Sequence, residues 1–264
     1  MELSPQSTEP AGSDPLSFAF ARRDADILEL VRSALAAGRA QLAYQPAVIA
    51  GTPKRIAFHE ALIRVSDEGG RVIPAAHFMP IIEQTDLGRQ IDAALLELAI
   101  KMLKHQPRVR LSVNVSARSL ADWTWRQQLE LGLASGSSLR DRLIFEISET
   151  SAMQLHEVVI RFMKEMHPIG LSFALDGFGG GQTSFRHLRD FFFDFAKIDK
   201  SFVKDVHQDP NNQVLVEALI TVAHQFEMFA VADGVEVAED ARFLQATGID
   251  CMQGFHFGVP KPSF

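Results

Sequence analysis

The chain contains 264 residues, of which 47% are hydrophobic, and its 26 Lys and Arg against 33 Asp and Glu give a formal net charge of −7. This length and hydrophobic content are typical of one large or two small globular domains and exclude disorder for most of the chain. The negative charge, without any run of Lys or Arg, argues against a nucleic-acid polymer or a membrane surface as partner. The single cysteine, Cys251, excludes a disulfide framework and a Cys-rich zinc site, and it suits a reducing cytoplasm.

The N-terminal segment is predicted to lie outside the folded domain. Residues 1–16 are rich in Ser, Pro, Gly and acidic residues, and they lack the basic start and the apolar stretch of a signal peptide. No window of the chain approaches the ~18 uninterrupted apolar residues of a membrane-spanning helix. We therefore expect a mobile leader over residues 1–23, a folded domain over residues 24–264 and a soluble, cytoplasmic protein.

Strand and helix patterns alternate along the rest of the chain. A first helix is predicted to begin at Asp24, with acidic residues in its first turn, and to end before Gly38. Short apolar and β-branched runs predict eight strands, over residues 41–49, 56–65, 109–116, 142–148, 171–176, 194–199, 228–233 and 249–254. Apolar residues at a 3.6-residue period predict helices between most of them, over residues 90–104, 155–166, 212–225 and 238–247.

Eight such units in one chain favour an α/β fold of the closed (β/α)8 type, like a TIM barrel, over an open doubly wound sheet. The ends of the strands support this choice, because seven of them carry a polar residue at or near the C-terminal end: Glu60, Asn114, Glu146, Asp176, Lys197, Asp233 and Gln253. In a barrel those ends converge on one face, where the active sites of this fold are assembled.

Each polar residue also has a simpler interpretation. Asp176, Asp199 and Asp233 are placed where a turn or a strand end is capped, and Lys197 could be a solvated lysine at a sheet edge. Glu146 and Asn114 lie within apolar strands, where an unpaired polar group costs several kcal/mol. A bound cation would satisfy both, and a set of carboxylates with an amide but without His or Cys fits Mg²⁺, Mn²⁺ or Ca²⁺ rather than zinc.

Six ordered motifs over about residues 30–262 resemble the signature set of the EAL-domain family: residues 44–46, 60–64, 114–116, 146–149, 197–199 and 253–254. A lone Glu-Ala-Leu would carry no information, but six motifs in order make a chance match very improbable. The resemblance implies a (β/α)8-type barrel with one reversed strand that binds cyclic di-GMP. Active members hydrolyse this ligand to linear pGpG with Mg²⁺ or Mn²⁺, while Ca²⁺ would be a non-productive ion.

The resemblance also assigns roles to residues of this sequence. It implies four ligands of a first metal ion, namely Glu60, Asn114, Glu146 and Asp176. Lys197 would orient or deprotonate the attacking water, and Asp233, Glu149 and Gln253 would complete the catalytic set, with Glu149 bracing the loop after Asp176. Arg64 would clamp a phosphate oxygen unless it forms only a surface ion pair. The remaining ligand-binding positions implied by the resemblance are Gln45, Leu62, Asp199 and Glu236.

Two departures from the family pattern bear on activity. Active members have Asp-Asp-Phe-Gly-Thr-Gly after the fifth strand, whereas this chain has Asp-Gly-Phe-Gly-Gly-Gly over residues 176–181. By the resemblance, Gly177 replaces a ligand of the second metal ion. Asp233 stands where the family has glutamate, which draws the carboxylate back by one methylene. A misplacement of roughly 1 Å can cost ~100-fold in rate.

The sequence therefore favours an EAL domain that binds cyclic di-GMP with weak or lost hydrolysis. Two alternatives stay open: an active metal-dependent phosphodiesterase, and a protein-interaction module without nucleotide or metal, against which the retained polar residues argue. The Phe-rich run over residues 191–193 fits core filling and a homodimer interface equally well. The sequence does not identify a protein partner.

Overall fold

The computed structural model describes residues 15–134, 136–181 and 185–264. Its first helix, α1, spans Pro15–Ala36 and therefore begins before the predicted start at Asp24. Residues 15–23, predicted as part of a mobile leader, form its first turns, because they include the helix formers Ala, Leu and Arg and begin with proline, which the first turn of a helix tolerates. The remainder of the predicted leader, residues 1–14, lies outside the described residues.

The strands of the described chain are β1 (Ala40–Ile49), β2 (Thr52–Ser66), β3 (Val72–Pro74), β4 (Leu111–Asn114), β5 (Leu143–Ser148), β6 (Ser172–Phe178), β7 (Phe195–Ile198), β8 (Phe229–Ala232) and β9 (Cys251–Gln253). Eight of them form a closed barrel, because β1 pairs with both β2 and β9. Both pairings of β1 are antiparallel, and the neighbouring pairs from β2 through β4 to β9 are parallel. The predicted (β/α)8-type barrel with one antiparallel strand is confirmed.

The short strand β3 was not predicted. It pairs antiparallel with the end of β2, after a turn at Gly69–Gly70, and lies outside the closed ring. Its signal in the sequence is two glycines followed by Val72 and Ile73, which is too short to distinguish from a loop. β2 likewise begins before the predicted Ile56, because Gly51, with φ +74°, closes a tight hairpin with β1.

Helices follow most strands and cover the outside of the barrel. Those after α1 are α2 (Met79–Ile82), α3 (Asp86–His105), α4 (Ala117–Leu120), α5 (Trp123–Ala134), α6 (Glu149–Gln154), α7 (His156–Met166), α8 (Phe185–Leu188), α9 (Lys200–Val203), α10 (Pro210–Gln225) and α11 (Ala238–Ala246). Several begin at side-chain caps: Thr85 accepts from Leu87 N at α3, and Asp209 accepts from Asn211 N at α10. None of the described helices is both long and apolar enough to cross a membrane.

The apolar core is divided between the outside and the inside of the barrel. Between sheet and helices, Trp125, Phe145 and Phe162 pack ring against ring. Inside the barrel, a small separate cluster of Ala47, Phe58, Ile144 and Ala174 fills the end where the parallel strands begin. Of the Phe-rich run, Phe191 and Phe193 are buried while Phe192 is 43% exposed, so the run contributes mostly to the core.

The strand register sets the polar residues level with one another at the opposite end. Asn114 lies beside Glu146, Asp176 beside Lys197, and Gln45 of the reversed strand beside Glu60. Since seven strands are parallel, their C-terminal ends form one face of the barrel, and the predicted site residues converge there.

Candidate functional site

A buried lysine lies at the centre of this face. Lys197 is 1% exposed, and its Nζ is 2.7 Å from Glu146 Oε2, 3.1 Å from Glu60 Oε2 and 3.8 Å from Asp176 Oδ1. Burial lowers the pKa of Lys197, but the charges of Glu146, Glu60 and Asp176 outweigh burial and hold this pKa well above its usual range. The lysine side chain is therefore held as an ammonium ion among these carboxylates.

Glu60 is the most densely hydrogen-bonded carboxylate of the site. Besides Lys197, it accepts from Asn114 Nδ2 at 2.9 Å and from Gln253 Nε2 at 2.5 Å. Burial raises the pKa of Glu60, yet the Lys197 charge and these hydrogen bonds together bring it below its ordinary value. Gln253 also donates to Gln45 Oε1 at 3.4 Å, so the last strand and the reversed first strand are joined at the site.

Glu146 differs from Glu60 because one of its oxygens has no partner. Oε2 receives the Lys197 ammonium, while Oε1 is buried without a hydrogen bond. Burial and the nearby Glu60 charge raise the pKa of Glu146 to about 8, against the opposing effect of Lys197. A buried carboxylate oxygen without a hydrogen-bond partner is energetically unfavourable, and a bound cation would satisfy it.

Asp176 and Asp233 flank this cluster. The Asp176 side chain is 35% exposed, so this carboxylate faces both the buried lysine and solvent. Burial raises the pKa of Asp233, and the Lys197 charge lowers it only in part. Neither a hydrogen bond nor an ion pair joins Asp233 to Lys197, since the only Lys197 ion pairs among the described residues are with Glu60, Glu146 and Asp176.

The loop after β6 is held by Glu149. Its Oε2 accepts from Gly179 N at 3.1 Å and from Gly181 N at 3.2 Å, while Oε1 is buried and unpartnered. Burial raises the pKa of Glu149 against these backbone hydrogen bonds. Glu149 thus contacts the loop that it was predicted to brace.

Gly177 lies where the register between β6 and β7 shifts, with φ at +74°. A Cβ built on it would find Asp199 Oδ2, at 3.8 Å, as its nearest neighbour. Asp199 caps α9, because its Oδ1 accepts from Ser201 N at 2.8 Å and from Ser201 Oγ at 2.5 Å. The missing side chain therefore opens space next to another carboxylate.

The other predicted ligand-binding residues lie around the rim. Arg64 is half-buried and donates to Ile63 O at 3.0 Å, and no ion pair joins it to a described carboxylate, so the surface ion-pair alternative is not supported. Gln45 is buried and donates to Gly258 O at 3.1 Å. Leu62 is half-buried, and Glu236 is exposed.

A family model described as "EAL domain" matches residues 29–260. The chain belongs to the EAL domain family. Among curated proteins, it is 31% identical over 208 residues to the cyclic di-GMP phosphodiesterase PdeR of Escherichia coli K12, an alignment covering 77% of this chain and 32% of PdeR. The chain spans about a third of the length of the curated relatives that it matches.

Solved structures agree with this assignment. The structure of PaMucR phosphodiesterase in complex with c-di-GMP superposes with a TM-score of 0.82 at 27% identity, covering 90% of this chain and 98% of that one. The EAL domain of FimX from Pseudomonas aeruginosa bound to c-di-GMP gives a TM-score of 0.81 at 26% identity, covering 90% and 97%. Both comparisons cover nearly the whole EAL domain.

The oxygen-rich side chains of this EAL domain fit a divalent cation in their chemistry. Among the described residues, no three His, Cys, Asp or Glu side chains are already gathered into a metal-binding cluster, and the Lys197 ammonium neutralises the carboxylates instead. The unpartnered Oε1 of Glu146 marks where an oxygen ligand is free. The other oxygens that could hold a divalent cation are those of Glu60, Asn114 and Asp176.

One buried carboxylate near the site of this EAL domain was missed by the sequence analysis. Asp92, on α3, is 5% exposed and accepts from Ser119 Oγ at 2.6 Å and from Ser116 N at 3.0 Å. It lines a cleft of about 230 Å³ that also reaches Asn114 and Glu146. Its signal is an aspartate directly after Ile91 on the apolar side of the helix, a pattern that is easily taken for a solvated position.

Proposed function

We propose that this EAL domain binds cyclic di-GMP at the carboxyl face of its barrel and hydrolyses it weakly or not at all. One observation carries the proposal: the four predicted first-metal residues and Lys197 are gathered at one face, whereas position 177 has no side chain. Two structural neighbours above 25% identity were solved with c-di-GMP, which supports this ligand. The single buried Cys251 supports a reducing cytoplasm as the location.

Positively charged groups of the site would bind the phosphates of the ligand. The Arg64 guanidinium has no carboxylate partner among the residues that the structure describes, and it can donate to a phosphate oxygen. Mg²⁺ or Mn²⁺, held by Glu60, Asn114, Glu146 and Asp176, would supply positive charge to polarise the phosphodiester. Lys197 stays protonated beside these carboxylates and would hold a water by charge and hydrogen bonding.

Two features of the site argue for slow turnover. Without a carboxylate at position 177, a second cation loses a direct ligand and a compensating negative charge. Asp233 is too far from Lys197 for an ion pair, so the shorter side chain does not help to position the lysine. The cyclic ligand would then be bound and retained.

An active phosphodiesterase is the second candidate, because Glu60, Asn114, Glu146, Asp176 and Lys197 are all present and in contact. An interaction module without nucleotide is disfavoured, because burying this charged cluster destabilises the fold and a domain with a purely structural role does not require it. A homodimer stays a prediction.

The test is a titration followed by product analysis. Isothermal titration with cyclic di-GMP, with and without Mn²⁺, should give binding, and Arg64→Ala should weaken it by ~1–3 kcal/mol through loss of a charge-assisted contact. Replacing Arg55, an exposed arginine near the opposite end of the barrel, is the matched control. Absence of heat with the wild type would support the interaction module.

Chromatography of cyclic di-GMP, pGpG and GMP after incubation with Mn²⁺ then measures turnover. Little pGpG is expected from the wild type, and Gly177→Asp should increase it. The positive φ of Gly177 costs an aspartate there about 1 kcal/mol of stability, a strain that Asp tolerates better than most residues. Fast hydrolysis by the wild type, with no gain in the variant, would establish the phosphodiesterase instead.

A further inference from the structure

Two glycines, Gly177 within β6 and Gly180 in the loop that follows it, make room for one carboxylate. A Cβ on Gly177 would have Asp199 Oδ2 as its nearest neighbour, at 3.8 Å. A Cβ on Gly180 would lie only 2.8 Å from Asp199 Cγ and 3.0 Å from Asp199 Oδ2. The Asp199 carboxylate therefore lies against both positions, and a side chain at position 180 would displace it.

The backbone holds Asp199 in this place. Its N–H donates to Phe178 O at 3.1 Å, which fixes the start of α9 to the end of the strand that carries Asp176 and Gly177. Its Oδ1 is fully used by the two hydrogen bonds from Ser201. Its Oδ2, by contrast, takes part in no hydrogen bond or ion pair with a described residue, so one oxygen is available on the side of Gly177.

We propose that Asp199 Oδ2 supplies, for a second divalent cation, the carboxylate oxygen that position 177 lacks, together with Asp176. The inference rests on the proposed function, since it concerns the same metal site. The free oxygen of Asp199 lies 3.8 Å from the place that the Cβ of an aspartate at position 177 would take, and the unpartnered Glu146 Oε1 indicates that the neighbouring first site accommodates a cation. Because Oδ1 remains committed to the helix cap, Asp199 offers a single oxygen, and the second cation binds more weakly than the first.

The experiment counts bound Mn²⁺ by equilibrium dialysis and by electron paramagnetic resonance, without nucleotide and without any measurement of turnover. The wild type should bind two Mn²⁺ per chain with different affinities. Asp199→Ser keeps a helix cap but is too short and uncharged, so it should weaken the second site at least about tenfold and leave the first unchanged. Asp209→Ser removes a carboxylate that caps α10 in the same way and is the matched control.

Two further variants separate this role from simple capping. Gly180→Ala retains every carboxylate but pushes Asp199 aside, and it should also weaken the second site. Gly177→Asp in the Asp199→Ser background should restore two bound ions. A single bound Mn²⁺ in the wild type, or two ions of unchanged affinity in Asp199→Ser, would overturn the inference. The proposed function is judged separately by cyclic di-GMP titration, so failure of one does not imply failure of the other.

Discussion

The carboxylates at the two ends of the barrel find their partners in different ways. At the end where the parallel strands begin, Asp194 accepts from Phe173 N at 2.8 Å and contacts His167 Nε2 at 3.2 Å. Asp250 repeats the arrangement, because it accepts from Ala230 N at 2.8 Å and contacts His224 Nε2 at 2.8 Å. Both carboxylates thus have a backbone N–H and a histidine as partners, at the end of the barrel that the small apolar cluster around Phe58 fills.

At the carboxyl end, three buried side-chain oxygens have no partner among the described residues, on Glu146, Glu149 and Gln253. A buried polar atom without a hydrogen bond costs about 1–3 kcal/mol, so this end lowers the stability of the fold. This difference indicates that the end where the parallel strands begin stabilises the fold, whereas the carboxyl end is arranged to bind a ligand. The following substitutions test this division.

The largest effect is expected from Lys197→Met. Removing the ammonium leaves Glu60, Glu146 and Asp176 facing one another, and breaking a buried ion pair in this way costs about 3–5 kcal/mol of unfolding free energy. Mn²⁺ should restore part of the loss, because a cation replaces the missing charge. Urea unfolding with and without Mn²⁺ measures both quantities, with exposed Lys204→Met as control. A loss that Mn²⁺ does not reduce would contradict the division.

Phe58→Ala is the counterpart at the other end and should cost about 3 kcal/mol, by opening a cavity in the small inner cluster. For this variant, Mn²⁺ should raise the free energy of unfolding only as much as it does for the wild type, because the substitution leaves no charged group without its partner. The same urea titrations provide the measurement. Substituting Phe192, which is 43% exposed, controls for the removal of a phenyl ring. A specific Mn²⁺ rescue of Phe58→Ala would show that the two ends are coupled.

The smallest effect concerns Asp92, whose pKa is raised to about 6 by burial, against hydrogen bonds from Ser119 and Ser116. Because this folded-state pKa lies above the unfolded one, the folded state binds more protons between about pH 4 and 6, and stability falls as pH rises through that window. Relative to Asp92→Asn, the wild type should lose up to about 3 kcal/mol between pH 4 and pH 7.

Unfolding both proteins in urea across this range measures the difference. Exposed Asp86→Asn, on the same helix, controls for the loss of a carboxylate. A wild-type minus variant difference that is constant with pH would mean that Asp92 is ionised throughout.

The barrel could be predicted from the sequence because its signals are local. Apolar runs such as Leu143–Ser148 and the polar residue near each strand end place the site residues on one face without any knowledge of side-chain packing. The order of the motifs then assigned residue roles that composition alone leaves open.

What the sequence could not provide depends on contacts between distant elements. The position of Lys197 between Glu60 and Glu146 requires three strands to be in register, and the approach of Asp199 to Gly177 and Gly180 requires a particular loop path. The start of α1 at Pro15 was missed for a simpler reason, namely that the Ser- and Pro-rich residues before it led the prediction to end the leader too late.

The reversed strand β1 has a consequence for the order in which the barrel is assembled. This strand contacts residues much later in the chain, because it pairs with β9. In addition, Tyr44 and Lys261 exchange two backbone hydrogen bonds, and the Gln45 side chain donates a hydrogen bond to Gly258 O, 213 positions later. Contacts of such long sequence separation form late, since loop closure must come first. During synthesis, the barrel cannot close until β9, Cys251–Gln253, has left the ribosome, and the edges of β1 and β8 stay open to unwanted pairing until then.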